Sequence, residues 1–229
     1  MRHTFLTSGT GGGKSETLKV LAHHYLEKNR EAAVIVMDPH SDLADQIAQF
    51  HENETGDNLV FIDLTLSDDH SPVMNPFDVG ALSDREREIV LEQILEGMGT
   101  ILSEETQFTE QMKSLLSPCL QTLIKLPGAT MEHLKQFLDE ERNAGLKAAA
   151  FQHLTSPGDL DFLERDFDSN SYAPTKQGIR NRLHGLLTKP RFRNFISGQS
   201  TIDLEKAINE KKLIVFKLAK LTGEDRQFC

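Results

Sequence analysis

The most chemically suggestive stretch of the sequence is a glycine run followed by a lysine and a serine. Four glycines occur within residues 9–13, and Lys14 and Ser15 come directly after them. Glycine loses more conformational entropy on folding than any other residue, so folding alone gives such a run little advantage. Backbone without Cβ atoms lets several N–H groups converge on one anion, and a hydroxyl suits Mg2+, which prefers oxygen ligands. This combination favours binding of a phosphate chain.

The segments on either side of the run place it between a strand and a helix. Residues 3–7, His-Thr-Phe-Leu-Thr, are typical of a short strand, and apolar residues recur at helical spacing from Lys14 onward. A strand, a glycine loop, Lys-Ser and a helix form the phosphate-binding arrangement of P-loop nucleotide hydrolases. The full pattern has glycine six residues before the lysine, where this chain has Ser8. The alternative is a glycine-rich turn with an incidental lysine.

The motif assigns a role to each of its residues. We expect Lys14 to be the catalytic lysine that reaches the β- and γ-phosphates of ATP, and Ser15 Oγ to be a Mg2+ ligand. The N–H of Glu16 and the side chain of Thr17 are expected near the α-phosphate. The predicted nucleotide-binding set is Gly9, Thr10, Gly11, Gly12, Gly13, Lys14, Ser15, Glu16 and Thr17.

The rest of the chain alternates strands and helices and then becomes helical, with breaks predicted at 126–130, 155–159 and 169–175. Two of the predicted helices carry apolar stripes, one formed by Val90, Leu91, Ile94, Leu95 and Met98 and the other by Met112, Leu115, Leu116, Cys119, Leu120 and Leu123. Apolar runs at 32–38, 58–64 and 213–218 are typical of buried strands, and a helix is predicted at 41–50 between the first two. This order predicts an α/β fold with a parallel, RecA-like P-loop sheet and an inserted all-α subdomain. The predicted domains are 1–80 (the N-terminal part of the nucleotide-binding core), 84–208 (the all-α insertion) and 209–229 (a strand returning to the core).

Several polar residues lie where the predicted strands end. Asp38 closes the strand at 32–38, at the edge of a parallel sheet where ligands bind. It either hydrogen-bonds to Ser15 or to a metal-bound water, or it serves as a helix cap or turn residue. His40 either faces the nucleotide or a neighbouring subunit, or is a solvated turn residue. Asp63 is expected to be structural, and residues 75–77, Asn-Pro-Phe, a turn with a buried phenylalanine.

Composition and charge exclude some classes of protein. The 229 residues are 38% hydrophobic and 26% charged, which is ordinary for a globular protein. No apolar run approaches the roughly 18 residues of a membrane span, and the N-terminus has no signal-peptide pattern. Cys119 and Cys229 lie far apart, so a disulfide framework is not expected. We therefore expect a cytoplasmic location.

A basic window contrasts with the net charge of −10, which disfavours nucleic-acid binding by bulk electrostatics. Residues 169–202 contain no Asp or Glu. The window either tracks nucleic-acid phosphates, or contacts another subunit or an acidic partner domain, or is a solvated face. Its basic residues are Lys176, Arg180, Arg182, Lys189, Arg191 and Arg193.

Four motifs in a fixed order resemble a known superfamily. They are the loop Thr-Gly-Gly-Gly-Lys-Ser at 10–15, the segment beginning Val-Ile-Val-Met-Asp-Pro-His at 34, the stretch 61–78 with its Asn-Pro-Phe-Asp, and the closing segment 202–225. Together, and with the helical insertion between the last two, they resemble the HerA–FtsK superfamily of ring-forming motors. Within it the chain is most similar to conjugative coupling proteins and type IV secretion ATPases.

The resemblance implies an ATP- and Mg2+-dependent homohexamer. DNA or secretion-system components would be its partners in conjugative transfer, and it would work in the cytoplasm or at the inner face of the cell membrane. The sequence shows no apolar strand ending in an Asp-Glu pair (the Walker B acids) and no assignable arginine finger, so we expect a truncated, poorly active fragment of a larger ATPase. The alternatives are a HerA-like translocase or helicase in repair or defence, and a non-hydrolysing, nucleotide-dependent interaction module.

Overall fold

A computed structural model describes residues 6–7, 9, 11–28, 31–52, 58–65, 71–102 and 108–218. The strand predicted at 3–7 therefore lies mostly outside the described residues, as do positions 219–229. The described part divides into two compact units, one formed by 6–65 with 203–218 and the other by 71–202. Among the described helices, none has both the length and the apolar character needed to cross a lipid bilayer.

The helices and strands follow one another in the order that the sequence patterns predict. The elements are α1 (Lys14–Lys28), β1 (Val34–Asp38), α2 (Asp42–Glu52), β2 (Leu59–Asp63), α3 (Asp84–Leu102), α4 (Glu110–Leu123), α5 (Met131–Phe137), α6 (Ala144–His153), α7 (Pro157–Arg165), α8 (Ala173–Leu187), α9 (Pro190–Ile196), α10 (Leu204–Asn209) and β3 (Leu213–Lys217).

The first unit contains a parallel sheet with the strand order β1-β3-β2. The last described strand, β3, thus lies between β1 and β2, which precede it in the chain by about 150 residues or more. Register aligns the final residues of the three strands, so that Asp38, Lys217 and Asp63 are neighbours at the carboxyl edge. The prediction of an α/β fold with a parallel sheet is confirmed.

Helices α1 and α2 cover one face of this sheet. Removing apolar side chains from water stabilises such a layer by about 1.5–3 kcal/mol for each large residue. The stripe predicted on α1 is only partly buried, because Leu18 and Leu21 are each 45% exposed. The buried residues of the core between the two helices and the sheet are Ala22, Leu43, Ala44, Ile47, Leu213 and Val215.

The second unit is a helical bundle organised around α4. This helix contacts α3, α5, α6 and α8, and the stripe predicted on it is fully buried from Leu115 onward. Cys119 lies in this stripe as a free, buried thiol, and burial raises its pKa well above the ordinary value. The stripe predicted on α3 is buried only near its end, at Met98. Breaks between helices fall at the Pro-Gly and Ser-rich segments that predicted them.

A turn at residues 75–77 joins the start and the end of the second unit. Asn75 is buried, and its Nδ2 donates to the carbonyl oxygens of Ala129 (2.7 Å) and Gly198 (2.9 Å). Its Oδ1 accepts the N–H of Phe77, which is itself 4% exposed. The predicted turn with a buried phenylalanine is therefore confirmed. Main-chain bonds from 73–74 to 195–202 reinforce the junction.

Candidate nucleotide-binding site

The loop before α1 is shaped by two glycines with left-handed backbone conformations. Gly11 has φ 78° and Gly13 has φ 76°, a region that L side chains rarely adopt. The N–H of Gly12 donates to the Gly9 carbonyl oxygen at 3.1 Å and closes the turn. Apart from its two chain neighbours, a Cβ added at position 11 or 13 would meet no atom of the described residues within 4 Å. Backbone conformation therefore requires glycine here, and the space beside the loop is open.

Lys14 begins α1 and reaches back over the loop. Its Nζ donates to the Gly9 carbonyl oxygen at 3.3 Å. Two donors of Thr17, the N–H and Oγ1, converge on the Gly13 carbonyl oxygen at 2.9 Å and 3.0 Å and join the loop to the first helical turn. Ser15 is exposed. Thus the loop, the ammonium group and the helix N-terminus form one local arrangement.

For two members of the predicted nucleotide-binding set, the structure describes no side-chain contact with the loop. Glu16 is exposed and pairs with Lys19 at 2.8 Å on the surface of α1. Thr10 lies outside the described residues. The assignment of the whole set to a nucleotide therefore remains a prediction.

The groups at this N-terminus suit a phosphate chain with its magnesium ion. The first turn of an α-helix leaves N–H groups without acceptors inside the helix, and its dipole favours a negative charge there. Lys14 adds a full positive charge, and the exposed hydroxyl of Ser15 is an oxygen ligand of the kind that Mg2+ prefers. The donors and the open space on this side of the loop thus fit both groups.

Asp38 fixes the turn between β1 and α2. Its side chain is 4% exposed, and each carboxylate oxygen accepts a backbone N–H, Oδ1 from His40 (2.9 Å) and Oδ2 from Ala44 (2.8 Å). Of the two roles expected for this residue, the geometry supports the helix-capping and turn role. No described hydrogen bond joins it to Ser15, and a contact with metal-bound water remains a prediction. His40 is exposed.

The carboxyl edge of the sheet also holds a lysine that the sequence patterns did not single out. Lys217 Nζ lies 2.7 Å from Asp45 Oδ1 and 3.3 Å from Asp63 Oδ2. The hydrogen bond to Asp45 raises the pKa of Lys217, against the effect of burial. Burial alone would raise the pKa of Asp63, but bonds from Thr65 and Lys217 hold it below its ordinary value. The only signal in the sequence was that a single cation, Lys217, interrupts the apolar run at 213–218 just before its last residue.

Two members of the basic window serve the packing of the second unit. Lys176 is 2% exposed, and its Nζ lies 2.6 Å from Asp168 and 3.0 Å from Glu140. Arg180 pairs with Asp139 at 2.9 Å. Both residues therefore form ion pairs with carboxylates of their own unit. Arg191 and Arg193 are exposed. For these two residues, a nucleic-acid contact, a contact with another subunit or partner domain, and a solvated face all stay predictions.

Comparison with known proteins places the chain in a family. No curated protein matches it. A solved structure does: the bacterial conjugative coupling protein TrwBdeltaN70 in its unbound monoclinic form, with 15% sequence identity and a TM-score of 0.49. That alignment covers 96% of this chain and 48% of TrwBdeltaN70, so the chain spans about half the length of that protein. The family model described as "Helicase HerA, central domain" matches residues 1–229. The chain therefore belongs to the HerA central-domain family, within the HerA–FtsK P-loop ATPases.

Proposed function

We propose that this chain is the ATP-binding motor domain of a hexameric DNA-transfer ATPase of the conjugative or type IV secretion kind. The observation on which the proposal rests is the loop itself, in which Lys14 lies across left-handed glycines at the start of α1. The order of the four sequence motifs supports the choice of conjugative transfer. DNA or secretion-system components are the proposed partners.

Each loop residue has a definite task in this proposal. Bound Mg2+·ATP supplies the phosphoanhydride bond whose hydrolysis drives the motor. The amides of the glycine loop bind phosphate oxygens, and Lys14 exchanges the Gly9 carbonyl for the more strongly negative β- and γ-phosphates. Ser15 Oγ holds the metal ion. Asp38 keeps the neighbouring turn in place through its two backbone bonds.

A second candidate is a HerA-like DNA translocase or helicase in repair or defence. The description of the matching family, which names helicase HerA, favours it. Both candidates use the same nucleotide site and differ in the process that they drive. The genes beside the coding sequence distinguish the two candidates. A neighbouring relaxase gene indicates conjugation, whereas neighbouring genes for repair or defence nucleases, without a relaxase, indicate the second candidate.

Substitution of Lys14 tests the nucleotide site. Lys14→Ala removes the ammonium group, so we expect affinity for a fluorescent ATP analogue with Mg2+ to fall at least about tenfold, the loss typical of a charge-assisted bond. Any ATP turnover should disappear as well. Lys206→Ala is the matched control, because this lysine is an exposed residue of α10 in the same unit. Equal affinity and turnover in Lys14→Ala and the unsubstituted chain would contradict the proposal.

Hydrolysis assays with and without DNA address the third alternative from the sequence. Turnover by the unsubstituted chain that DNA stimulates supports a motor. Nucleotide binding with no turnover under either condition favours a nucleotide-dependent interaction module instead.

A further inference from the structure

Ser41 combines two unfavourable features at one position. Its φ is 76°, and the other non-glycine residue with a positive φ in the described part of the chain is Lys211. Its Oγ is buried and has no hydrogen-bond partner among the described residues. A serine in the left-handed region is disfavoured, and so is a buried hydroxyl without a partner. Glycine would avoid both costs. Strain of this kind, held in place by surrounding structure, is a reason to look for a function.

The surrounding backbone holds Ser41 in this conformation. Its carbonyl oxygen accepts the N–H of Asp45 at 3.0 Å, the first bond of α2. On the other side, Asp38 binds the N–H groups of His40 and Ala44. The turn is thus fixed on both sides of the serine.

A hydrogen bond between α1 and α2 allows positions along the two helices to be compared. Lys19 Nζ on α1 donates to Gln46 Oε1 on α2 at 3.0 Å. Lys19 comes five residues after Lys14, and Gln46 comes five residues after Ser41. Because both helices rise about 1.5 Å per residue, Lys14 and Ser41 lie at about the same level along the axes of α1 and α2.

The chain direction brings both helix N-termini to the same edge of the sheet. A short connection leads from the end of α1 to the start of β1, so the N-terminus of α1 lies toward the carboxyl edge. Helix α2 begins at that edge, just after β1 ends. The two helices pack side by side on one sheet face, and neighbouring helix axes lie about 8–10 Å apart. Ser41 and the loop that precedes Lys14 therefore lie toward the same edge of the sheet.

We propose that Ser41 Oγ is a binding contact for the magnesium–phosphate group of the nucleotide. A hydroxyl is both donor and acceptor, so it either donates to a phosphate oxygen or accepts from a water held by Mg2+. Binding gives the buried hydroxyl the partner that it lacks in the described structure. The inference depends on the proposed nucleotide site and adds a residue that the P-loop motif does not contain.

Ser41→Gly separates the hydroxyl from the backbone conformation. Glycine removes the hydroxyl and relieves the left-handed strain, so the nucleotide-free protein should melt at a higher temperature than the unsubstituted chain. Its affinity for a fluorescent ATP analogue with Mg2+ should nevertheless fall about tenfold, as expected for loss of a bond to a charged group. Ser41→Ala should lose the same affinity without the gain in melting temperature.

Repeating the titrations with EDTA distinguishes the two partners of the hydroxyl. If Ser41 binds water on Mg2+, the difference between Ser41→Gly and the unsubstituted chain disappears without the metal. If it binds a phosphate oxygen, the difference persists. Both results support the proposed contact.

Lys211→Gly is the matched control. Lys211 has φ 58°, lies in the same unit and precedes β3 at the amino edge of the sheet. Its replacement should raise the melting temperature and leave nucleotide affinity unchanged. Wild-type affinity in Ser41→Gly, or an equal loss in Lys211→Gly, would overturn the inference while leaving the nucleotide site intact. Failure of the unsubstituted chain to bind nucleotide would instead overturn the proposed function.

Discussion

Lys14 and Lys217 belong to the same unit, but their partners differ in kind. Lys14 donates to the carbonyl oxygen of Gly9, whereas Lys217 lies between the carboxylates of Asp45 and Asp63. An ammonium group gains more from a phosphate than from a carbonyl, so in the proposed site a bound nucleotide would draw Lys14 away from the Gly9 carbonyl. Lys217 already has charged partners, and we interpret it as a residue that fixes the end of β3 against β2 and α2.

The pH dependence of the free energy of unfolding should reveal how much the charged Asp63 side chain contributes to stability. Because the folded-state pKa of Asp63 is lowered, its stabilising effect is present above the unfolded-state value of about 3.9 and is lost as pH falls through the folded-state value. Asp63→Asn should therefore destabilise the protein at pH 7, by about 1–3 kcal/mol for loss of a buried, hydrogen-bonded charge. Below about pH 4 the difference should shrink. Urea unfolding over this pH range measures it.

Asp84→Asn is the control for that series, because Asp84 is an exposed residue whose side chain pairs with Arg87 on the surface of α3. Exposed pairs contribute little, so its unfolding free energy should stay within about 0.5 kcal/mol of the unsubstituted value. A difference for Asp63→Asn that is the same at pH 3 and pH 7 would show that the charge is not responsible.

At the scale of elements, the junction at Asn75 holds together segments that are far apart in sequence. One amide side chain binds the carbonyl oxygens of Ala129 and Gly198 as well as the N–H of Phe77. Ser200 adds bonds to the N–H of Asn75 and to the side chain of Asp78. These bonds therefore hold the start, the middle and the end of the second unit together.

Asn75→Ala should therefore destabilise the second unit strongly. The substitution leaves two buried carbonyl oxygens and one N–H without their partners, for which we expect a loss of about 2–4 kcal/mol. Urea unfolding followed by helical circular dichroism measures it. Asn181→Ala, on the exposed face of α8, is the control and should change stability by less than about 0.5 kcal/mol. Equal stability of the two variants would mean that the Asn75 bonds contribute little.

At the scale of the whole molecule, each of the two units has a core of its own. The first unit buries one side of its sheet under α1 and α2, and the second surrounds α4 with helices. We propose that the second unit corresponds to the insertion expected from the sequence at 84–208. Its folded region also includes residues 71–83, because the junction at Asn75 lies there.

Residues 67–202 expressed alone should then fold independently. We expect the helical circular dichroism of a folded bundle and a single cooperative unfolding transition, because core and junction are both contained in this segment. A shorter segment, 84–187, keeps α3 to α8 but lacks the junction and should be less stable. Binding of a hydrophobic dye by the 67–202 segment, with no cooperative transition, would contradict independence.

Local patterns predicted much of the fold, because they reflect local conformation and burial. The apolar runs at 32–38, 58–64 and 213–218 became strands with bounds shifted by two residues or fewer. Helical periodicity identified the buried stripe of α4. It did not predict Lys176 as buried, because that depends on Asp168 and Glu140 approaching from other segments. The 45% exposure of Leu18 is likewise a tertiary property, because helical spacing alone does not specify what packs against α1.

The sequence by itself determined the candidate phosphate loop, because positive φ at Gly11 and Gly13, the lysine and the following helix are all local properties of residues 9–17. Tertiary structure alone decided what surrounds that loop. Placing β3 between β1 and β2 made neighbours of Asp63 and Lys217, which are more than 150 residues apart in the chain. The pairing of α1 with α2 brought Lys19 into contact with Gln46, 27 residues further along the chain. Contacts of this kind depend on strand order and helix packing, which no short stretch of sequence specifies.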